Sequence, residues 1–286
     1  MARAEHAAFD AGWLSLREPV DHRSRSASLI DTLVRRRPEP DSWRILDLGS
    51  GTGSNFRYIA PRIPAPQAWT LLDRDAALLE QAGSGTPPVR VHTIVGNLAS
   101  EGIALVAGSH LVTASALLDL VSRRWLTRLI TCCRTHDCAV LFSLTYDGEI
   151  CWHASPGSRP AGSTPGEQTG GAPDPLDALV REAVNEHQRR EKGLGPALGP
   201  GAGHATIELL HAAGYETRTA PSPWRLGPGG DAPLARRLVR GWQAAAAEMR
   251  PGEKQALWHW AERKFRLIEE GSFEVRVGHQ DVLGLP

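Results

Sequence analysis

A glycine-rich turn follows a short apolar run in the first quarter of the sequence. Trp43-Arg-Ile45-Leu46 leads directly into Asp47-Leu-Gly49-Ser50-Gly51-Thr-Gly53. Glycines at alternate positions let the backbone turn sharply out of a strand, and they let a ligand approach where any Cβ would collide. The helix expected after the turn directs unpaired N–H groups with partial positive charge toward that ligand. The segment therefore predicts a nucleotide-cofactor site.

The spacing of the glycines discriminates between cofactors. A phosphate-binding P-loop needs Gly-Lys-Ser/Thr, and no lysine follows the turn. The dinucleotide fingerprint G-x-G-x-x-G, counted from Gly49, meets Ser54 where it needs its third glycine. NAD is thereby weakened as a candidate, but it stays an alternative.

The segment Asp47–Gly53 resembles the first motif of the class I S-adenosylmethionine-dependent methyltransferases, an acid, one residue and then G-x-G-x-G. The resemblance continues in order over roughly residues 43–145. It implies that Asp73, at the end of the second strand, binds ribose hydroxyls. It also implies that Gly96-Asn97-Leu98 contacts adenine and that the strand ending at Ser115 lies under the methionine. The cofactor residues so predicted are Asp47, Gly49, Ser50, Gly51, Gly53, Asn55, Asp73, Arg74, Asn97, Leu98 and Ser115.

Strand and helix patterns alternate after residue 41, which predicts an α/β fold. We expect a Rossmann-like, seven-stranded, mostly parallel sheet with helices on both faces, and a ligand site at the carboxyl ends of the strands. The predicted strands are 43–48, 68–73, 89–95, 110–115, 138–144, 215–219 and an antiparallel 273–277. The predicted domains are an N-terminal helical cap over 1–40 and a methyltransferase domain over 41–286.

Pro, Gly and Asp-Gly sequences predict the irregular parts of the chain. Two helices, Ala4–Leu16 and Ser24–Arg37, are expected to be split at Pro19, and Asp147-Gly148 is expected to turn the fifth strand back as a hairpin. A flexible Gly/Pro-rich insertion over about 155–203 is expected to act as a lid or a linker. Within it, a helix starts at Asp174-Pro175 and stops at Gly193. The stretches 185–200 and 220–226 are similar to a bacterial subgroup of these methyltransferases with no assigned substrate.

Candidate catalytic and substrate residues lie beyond the glycine turn. His187 is the first candidate for a general base, because it is the titratable group on the inward face of its helix and titrates near neutral pH. A hydrogen-bonded core histidine remains the alternative interpretation. Asp119 is a second catalytic candidate, with helix capping as its alternative. Trp152 and Trp224 are placed near the mouth of the cleft, where they could contact the acceptor. His153, on the expected hairpin, is a further substrate residue and another alternative for the base.

Composition limits the classes of partner. The 286 residues carry 32 Lys plus Arg and 32 Asp plus Glu, so the absence of a basic surplus argues against a nucleic-acid acceptor. No apolar run is long enough to span a bilayer and no signal-peptide core is recognised, so cytoplasmic residence is expected. The four cysteines form no C-x-x-C pair, and no metal is expected.

The sequence thus predicts an S-adenosylmethionine-dependent methyltransferase that acts on a small molecule at oxygen or nitrogen. An NAD-linked oxidoreductase and a non-catalytic S-adenosylmethionine-binding protein remain alternatives. The oligomeric state is open.

Overall fold

The structure is a computed structural model, and it describes residues 10–36, 41–153 and 174–286. Within these residues the strands are β1 (Trp43–Leu48), β2 (Gln67–Asp73), β3 (Val89–Val95), β4 (Leu111–Ser115), β5 (Ala139–His153), β6 (Glu216–Pro221), β7 (Trp224–Leu226) and β8 (Glu274–Leu285). The helices are α1 (Ala11–Ser24), α2 (Ala27–Arg36), α3 (Ser54–Ile59), α4 (Ala76–Leu79), α5 (Glu101–Ala104), α6 (Arg123–Thr135), α7 (Asp177–Gln188), α8 (Ala202–Ala212), α9 (Ala232–Met249) and α10 (Lys254–Glu269).

One open sheet, of eight strands in the described residues, organises the fold in the order β3-β2-β1-β4-β5-β8-β6, with β7 also paired to β8. Strands β1 to β5 pair in parallel, and β8 runs antiparallel to β5, β6 and β7. The predicted fold class is therefore confirmed, with the short β7 as an additional strand. A reversed strand inserted after β5 distinguishes this sheet from the dinucleotide-binding order 3-2-1-4-5-6.

Alternate side chains of the central strands supply two hydrophobic layers. In β1, Ile45 joins a cluster with α2 and α3, whereas Leu46 joins a cluster with α6. Successive side chains of a strand point to opposite faces, so both faces of the sheet are covered by helices. A third cluster forms where α7, α9 and α10 pack on the distal half of β5 and on β7 and β8. The sheet is thereby held rigidly, and its strand ends have fixed positions.

The predicted hairpin at Asp147-Gly148 is wrong. β5 continues through this dipeptide to His153 and pairs with β8 on both sides of it. The register shifts between Phe142 and Thr145 and again between Tyr146 and Ile150. A long antiparallel partner keeps the chain extended, so the Asp-Gly pair is absorbed as an irregularity in the strand instead of reversing it. Gly148 has a φ of +96°, which accounts for the glycine.

The predicted split of the N-terminal helices at Pro19 is also wrong. Pro19 lies inside α1, on its exposed side, while Val20 and Asp21 are buried. A proline within a helix removes one backbone hydrogen bond, and the buried neighbours hold the helix together here. The chain breaks instead at Arg25, the C-cap residue of α1. The predicted start at Ala4 lies outside the described residues.

Several helices and strands end at other residues than predicted, and the architecture is unaffected. α7 ends at Gln188, five residues before the expected stop at Gly193. β8 extends to Leu285, well beyond the predicted end of the last strand. Residues 155–173 of the predicted insertion lie outside the described residues. The remainder, 174–203, includes α7 and a loop that returns to the sheet.

Candidate functional site

A cavity of about 270 Å³ lies at the carboxyl ends of β1, β2, β3 and β4. Nine of the eleven predicted cofactor residues line it, namely Gly49, Ser50, Gly51, Asn55, Asp73, Arg74, Asn97, Leu98 and Ser115. Asp47 and Gly53 do not line it. The cavity also receives side chains from α1 and from the loop after α7. It is therefore closed by elements that the glycine motif alone does not indicate.

The glycine turn has the backbone conformation that its sequence predicts. Gly49, Gly51 and Gly53 have φ values of +66°, +53° and +78°, a region that other residues rarely adopt. The N–H groups of Gly49 and Ser50 donate to the carbonyl of Leu72, which fastens the turn to β2. A Cβ on Gly53 would lie 2.8 Å from the carbonyl oxygen of Ala82. Gly53 therefore serves the packing of α3, and Gly49 and Gly51 border the cavity.

The Asp73 carboxylate faces the cavity and is tied to the turn. Its Oδ2 accepts a hydrogen bond from the Gly51 N–H at 2.8 Å, and its Oδ1 accepts one from the Asp75 N–H at 3.0 Å. Each carboxylate oxygen can accept a second hydrogen bond. Asp75, in turn, caps α4 by accepting from Ala77. The side chain of Asp73 is thus held in one orientation, with acceptor capacity left for a diol.

Asn97 lies at the same rim, after β3. Its Oδ1 accepts the Ala99 N–H at 2.7 Å, and its own N–H donates to Glu101 Oε2 at 2.7 Å. The amide oxygen is therefore engaged in the turn, so its second lone pair or the Nδ2 group is what a ligand would meet. Leu98 and Leu78 add apolar surface beside it. This part of the cavity suits a flat, partly apolar ring.

Asp47 and Asn55 form a buried polar pair beneath the turn. Asn55 Nδ2 donates to Asp47 Oδ1 at 2.5 Å and to Thr113 Oγ1 at 3.2 Å. Burial raises the pKa of Asp47 to about 7, against the opposing effect of the Asn55 hydrogen bond and the Arg25 charge. Asp47 Oδ2 and Asn55 Oδ1 have no hydrogen-bond partner among the described residues. Buried polar atoms without partners are rare, and Asn55 is also one of the residues that line the cavity.

The N-terminal helix α1 forms the opposite wall of the cavity with Leu14, Arg17 and Asp21. Leu14 Cδ1 would lie 3.0 Å from a Cβ on Gly51, so α1 packs directly on the glycine turn. Arg17 Nε donates to Asp21 Oδ2 at 2.8 Å, and its Nη2 donates to Asp21 Oδ1 at 3.3 Å. Trp224 supports both side chains, since its Nε1 donates to Asp21 and its ring lies 5.1 Å from the Arg17 guanidinium carbon.

The loop after α7 completes the enclosure with Lys192, Gly193 and Leu194. It faces the segment after β4, where Ala116 has an unusual φ of +51° and lines the cavity. Such backbone strain is found preferentially at functional sites. Asp119 lies in a buried 3-10 turn of the same segment. Burial raises its pKa to about 6, while the charges of Arg17 and Lys192 act in the opposite direction.

Four further predicted residues, His187, Asp119, Trp152 and Trp224, are not among those that line the cavity. His187 Nε2 lies 3.4 Å from Glu248 Oε2 on α9, and burial lowers its pKa. Trp152 packs edge-to-face on Trp242, with a centroid distance of 6.4 Å, in the cluster beneath α9 and α10. Trp224 is buried and reaches the cavity only through Arg17 and Asp21. His153 ends β5, and its side chain lies outside the described atoms.

Sequence reasoning missed the residues from α1 and the role of Lys192. An available signal was the pair Arg17 and Asp21, which are four residues apart and can therefore meet on one helix face.

Asp119 does not cap α6, because Ser122 Oγ accepts the Trp125 N–H there. In the described ranges no group of three or more His, Cys, Asp or Glu side chains could hold a metal. Nor is any of the described helices both long and apolar enough to cross a bilayer.

Comparison with known proteins yields similarity in structure alone. No protein-family model matches the sequence, and no curated protein matches it. A cyclopropane synthase from Mycobacterium tuberculosis is 10% identical, with a TM-score of 0.44 over 90% of this chain and 83% of that one. A precorrin-6y C5,15-methyltransferase from Geobacter metallireducens is 10% identical, with a TM-score of 0.44 over 91% of this chain and 88% of that one.

A third similar structure is phosphoethanolamine N-methyltransferase 2 from Haemonchus contortus, in complex with phosphomonomethylethanolamine and S-adenosylhomocysteine. It is 11% identical, with a TM-score of 0.43, and the alignment covers 98% of this chain and 59% of that one. At these values the similarity does not extend beyond the fold, and it identifies no acceptor.

Proposed function

We propose that this protein binds S-adenosylmethionine and transfers its methyl group to oxygen or nitrogen of a small-molecule acceptor. The observation that carries the proposal is that the glycine turn and the Asp73 carboxylate border one cavity and are hydrogen-bonded to each other. Their arrangement supplies a surface without side chains beside a fixed, charged acceptor. This is the combination that an amino-acid tail joined to a ribose requires.

The residues present fit this cofactor. Asp73 would accept hydrogen bonds from the ribose hydroxyls, and Leu78, Asn97 and Leu98 would border the adenine. Asn55 lines the cavity and has a buried Oδ1 without a partner, an acceptor that suits an ammonium group better than a phosphate. The inserted antiparallel β8 also distinguishes the sheet from the dinucleotide fold, which favours S-adenosylmethionine over NAD.

When bound, S-adenosylmethionine supplies an electrophilic methyl group, whose carbon–sulfur bond breaks with both electrons retained by sulfur while an acceptor lone pair forms the new bond. The protein then needs mainly to orient the acceptor and to exclude water. Holding two reactants in the right geometry contributes roughly 7–11 kcal/mol of barrier reduction. Leu14, Leu117, Leu120 and Leu194 provide the apolar enclosure.

A hydroxyl or ammonium acceptor must also lose a proton. We assign this proton to the Asp119 carboxylate in preference to His187, because its neighbours Leu117 and Leu120 line the cavity, although Asp119 itself is buried behind them. A pKa of about 6 is well matched to accepting a proton near neutral pH. His187 is engaged with Glu248 of α9. It remains the second candidate.

The test is a binding comparison by isothermal titration calorimetry. We expect S-adenosylhomocysteine to bind the wild-type protein and NAD not to bind. Binding of NAD alone would overturn the proposal in favour of an oxidoreductase. Incubation of a cell extract with enzyme and deuteromethyl-labelled cofactor then tests catalysis, with a labelled product above background as the expected result. Binding of S-adenosylhomocysteine without any labelled product would favour a non-catalytic binding protein.

A further inference from the structure

The ionisable residues that line the cavity are unequally distributed along it. On the side of β2 they are Asp73, Arg74 and Asp75, two carboxylates and one cation. On the side of α1 and the loop after α7 they are Arg17, Asp21 and Lys192, two cations and one carboxylate. S-adenosylmethionine carries a sulfonium, an ammonium and a carboxylate, a net charge of +1, which suits the acidic side. The basic side is complementary to a negatively charged group of a second ligand.

The guanidinium of Arg17 is held in a position from which it can bind an anion. Its Nε and Nη2 are engaged by Asp21, so its position is fixed, and Nη1 has no hydrogen-bond partner among the described residues. The ring of Trp224 lies beneath the guanidinium. Beyond it His279, whose pKa is lowered to about 3 mainly by burial, stays neutral and adds no competing charge. Little conformational freedom is therefore lost when Nη1 donates to a ligand.

Lys192, unlike Arg17, forms no ion pair within the described residues, although it is half-buried. Glu248, a surface carboxylate whose charge also acts on Lys192, is paired with His187 and Arg190. Burial lowers the pKa of the Lys192 ammonium, which the charge of Asp119 only partly offsets. A half-buried ammonium without a paired anion is costly unless a ligand completes it.

The rest of this side of the cavity is apolar. Leu117, Leu120, Val121 and Leu194 line the cavity together with the two cations. Such a lining excludes a strongly hydrated, multiply charged group and favours a hydrocarbon or aromatic body. The side chains that line this part of the cavity sum to one positive charge, and the buried Asp119 offsets it only while it is ionised. The chamber therefore matches one carboxylate once Asp119 is protonated.

We propose that Lys192 and Arg17 bind the carboxylate of the methyl acceptor, and that the acceptor is a small monocarboxylic acid with an apolar body. This inference rests on the proposed function, because it assigns the acceptor side of the same cavity. The carboxylate accepts from Lys192 Nζ and from Arg17 Nη1, and the apolar body fills the chamber toward the glycine turn. Once Asp119 holds the acceptor's proton, the substrate carboxylate is the anion that balances Lys192.

The experiment measures binding of matched acids and amides to the full chain with and without saturating S-adenosylhomocysteine. The panel contains aromatic, alicyclic and linear monocarboxylates, such as 4-hydroxybenzoate, cyclohexanecarboxylate and hexanoate, each beside its primary amide. Calorimetry and ligand-observed NMR are applied to wild type, to Lys192→Gln and to the control Lys254→Gln. Lys254 is an exposed lysine at the start of α10, away from the cavity.

We expect at least one acid to bind wild type about tenfold or more tightly than its amide, because only the acid makes a hydrogen bond between two charged groups. We expect Lys192→Gln to abolish that preference, Lys192→Arg to restore part of it and Lys254→Gln to preserve it. Affinity for S-adenosylhomocysteine should be unchanged in Lys192→Gln. The inference is overturned if no acid is preferred to its amide, or if the preference survives Lys192→Gln.

The cofactor measurement keeps the two proposals separate. If Lys192→Gln weakens S-adenosylhomocysteine and leaves acid binding intact, the lysine binds the cofactor's own carboxylate and this inference is wrong. If wild type prefers acids but does not bind S-adenosylhomocysteine, the anion subsite stands and the cofactor assignment is wrong. Unfolding midpoints of all variants show whether each preference was measured on folded protein.

Discussion

Replacement of Asp73 by asparagine is the sharpest test of how the cofactor side works. The carboxylate accepts the N–H of Gly51 at 2.8 Å and that of Asp75 at 3.0 Å, and it borders the cavity. An asparagine side chain has one acceptor oxygen, so its NH2 group must face one of these two donors or turn toward the ligand. Either orientation removes an acceptor from the position that a ribose diol would use.

The expected magnitude follows from one charge-assisted hydrogen bond. Its loss is worth about 1.5–3 kcal/mol, which corresponds to a decrease of roughly 10- to 150-fold in affinity for S-adenosylhomocysteine. Calorimetry on Asp73→Asn and on the control Asp41→Asn provides the comparison. Asp41 is exposed before β1, at the opposite end of the strand from the cavity. We expect the control to bind as wild type does.

The unfolding free energy of Asp73→Asn is measured in parallel, because the same carboxylate also holds the glycine turn. Folded Asp73→Asn protein whose affinity stays within about threefold of wild type would refute the role of this carboxylate in ribose binding. A loss of affinity only in proportion to the unfolded fraction would refute it as well.

Three further predictions concern stability. Gly53→Ala should cost about 1–3 kcal/mol more than Gly83→Ala in urea unfolding, because both have positive φ but only a Cβ on Gly53 meets the Ala82 carbonyl; equal costs would contradict the packing role. Burial raises the pKa of Asp119 to about 6 from 3.8, so its folded state holds a proton more tightly than the unfolded chain does. The free energy of unfolding should therefore fall, relative to Asp119→Asn, by on the order of 2 kcal/mol as pH rises from about 4 to 6; parallel pH profiles would refute this. Lys264→Met should destabilise by about 3–5 kcal/mol, because Lys264 is buried and pairs with Asp177 Oδ1 at 2.7 Å, and Asp177→Leu in the same chain should recover part of the loss measured by denaturant titration.

The sequence was sufficient to predict the parallel half of the sheet and the side of the cavity that it forms. Apolar runs such as Trp43–Leu48 end at glycine or an acid, and each such end became a strand end at the cavity. These features are local, since a strand, its turn and the next helix are set by neighbouring residues. The fold class and the positions of Gly49, Gly51 and Asp73 followed from them.

The acceptor side could not be predicted, because it depends on contacts between distant segments. Arg17 lines the cavity only because α1 continues through Pro19 and packs on the glycine turn, and Lys192 does so because the loop after α7 returns to the segment after β4. His187 has the expected spacing for an inward face, yet α9 supplies Glu248 to meet it. Periodicity indicates which side of a helix is covered, but not by what.

The position of β8 has a consequence for biosynthesis. This strand lies between β5 and β6 in the sheet, although 120 residues of sequence separate the end of β5 from its start at Glu274. Until the ribosome has released that segment, one edge of β5 and the whole of β6 have no neighbour, and unpaired strand edges invite association with other nascent chains. Premature termination before Glu274 should therefore yield insoluble product rather than a smaller folded domain, even though every residue of the cavity would already have been made.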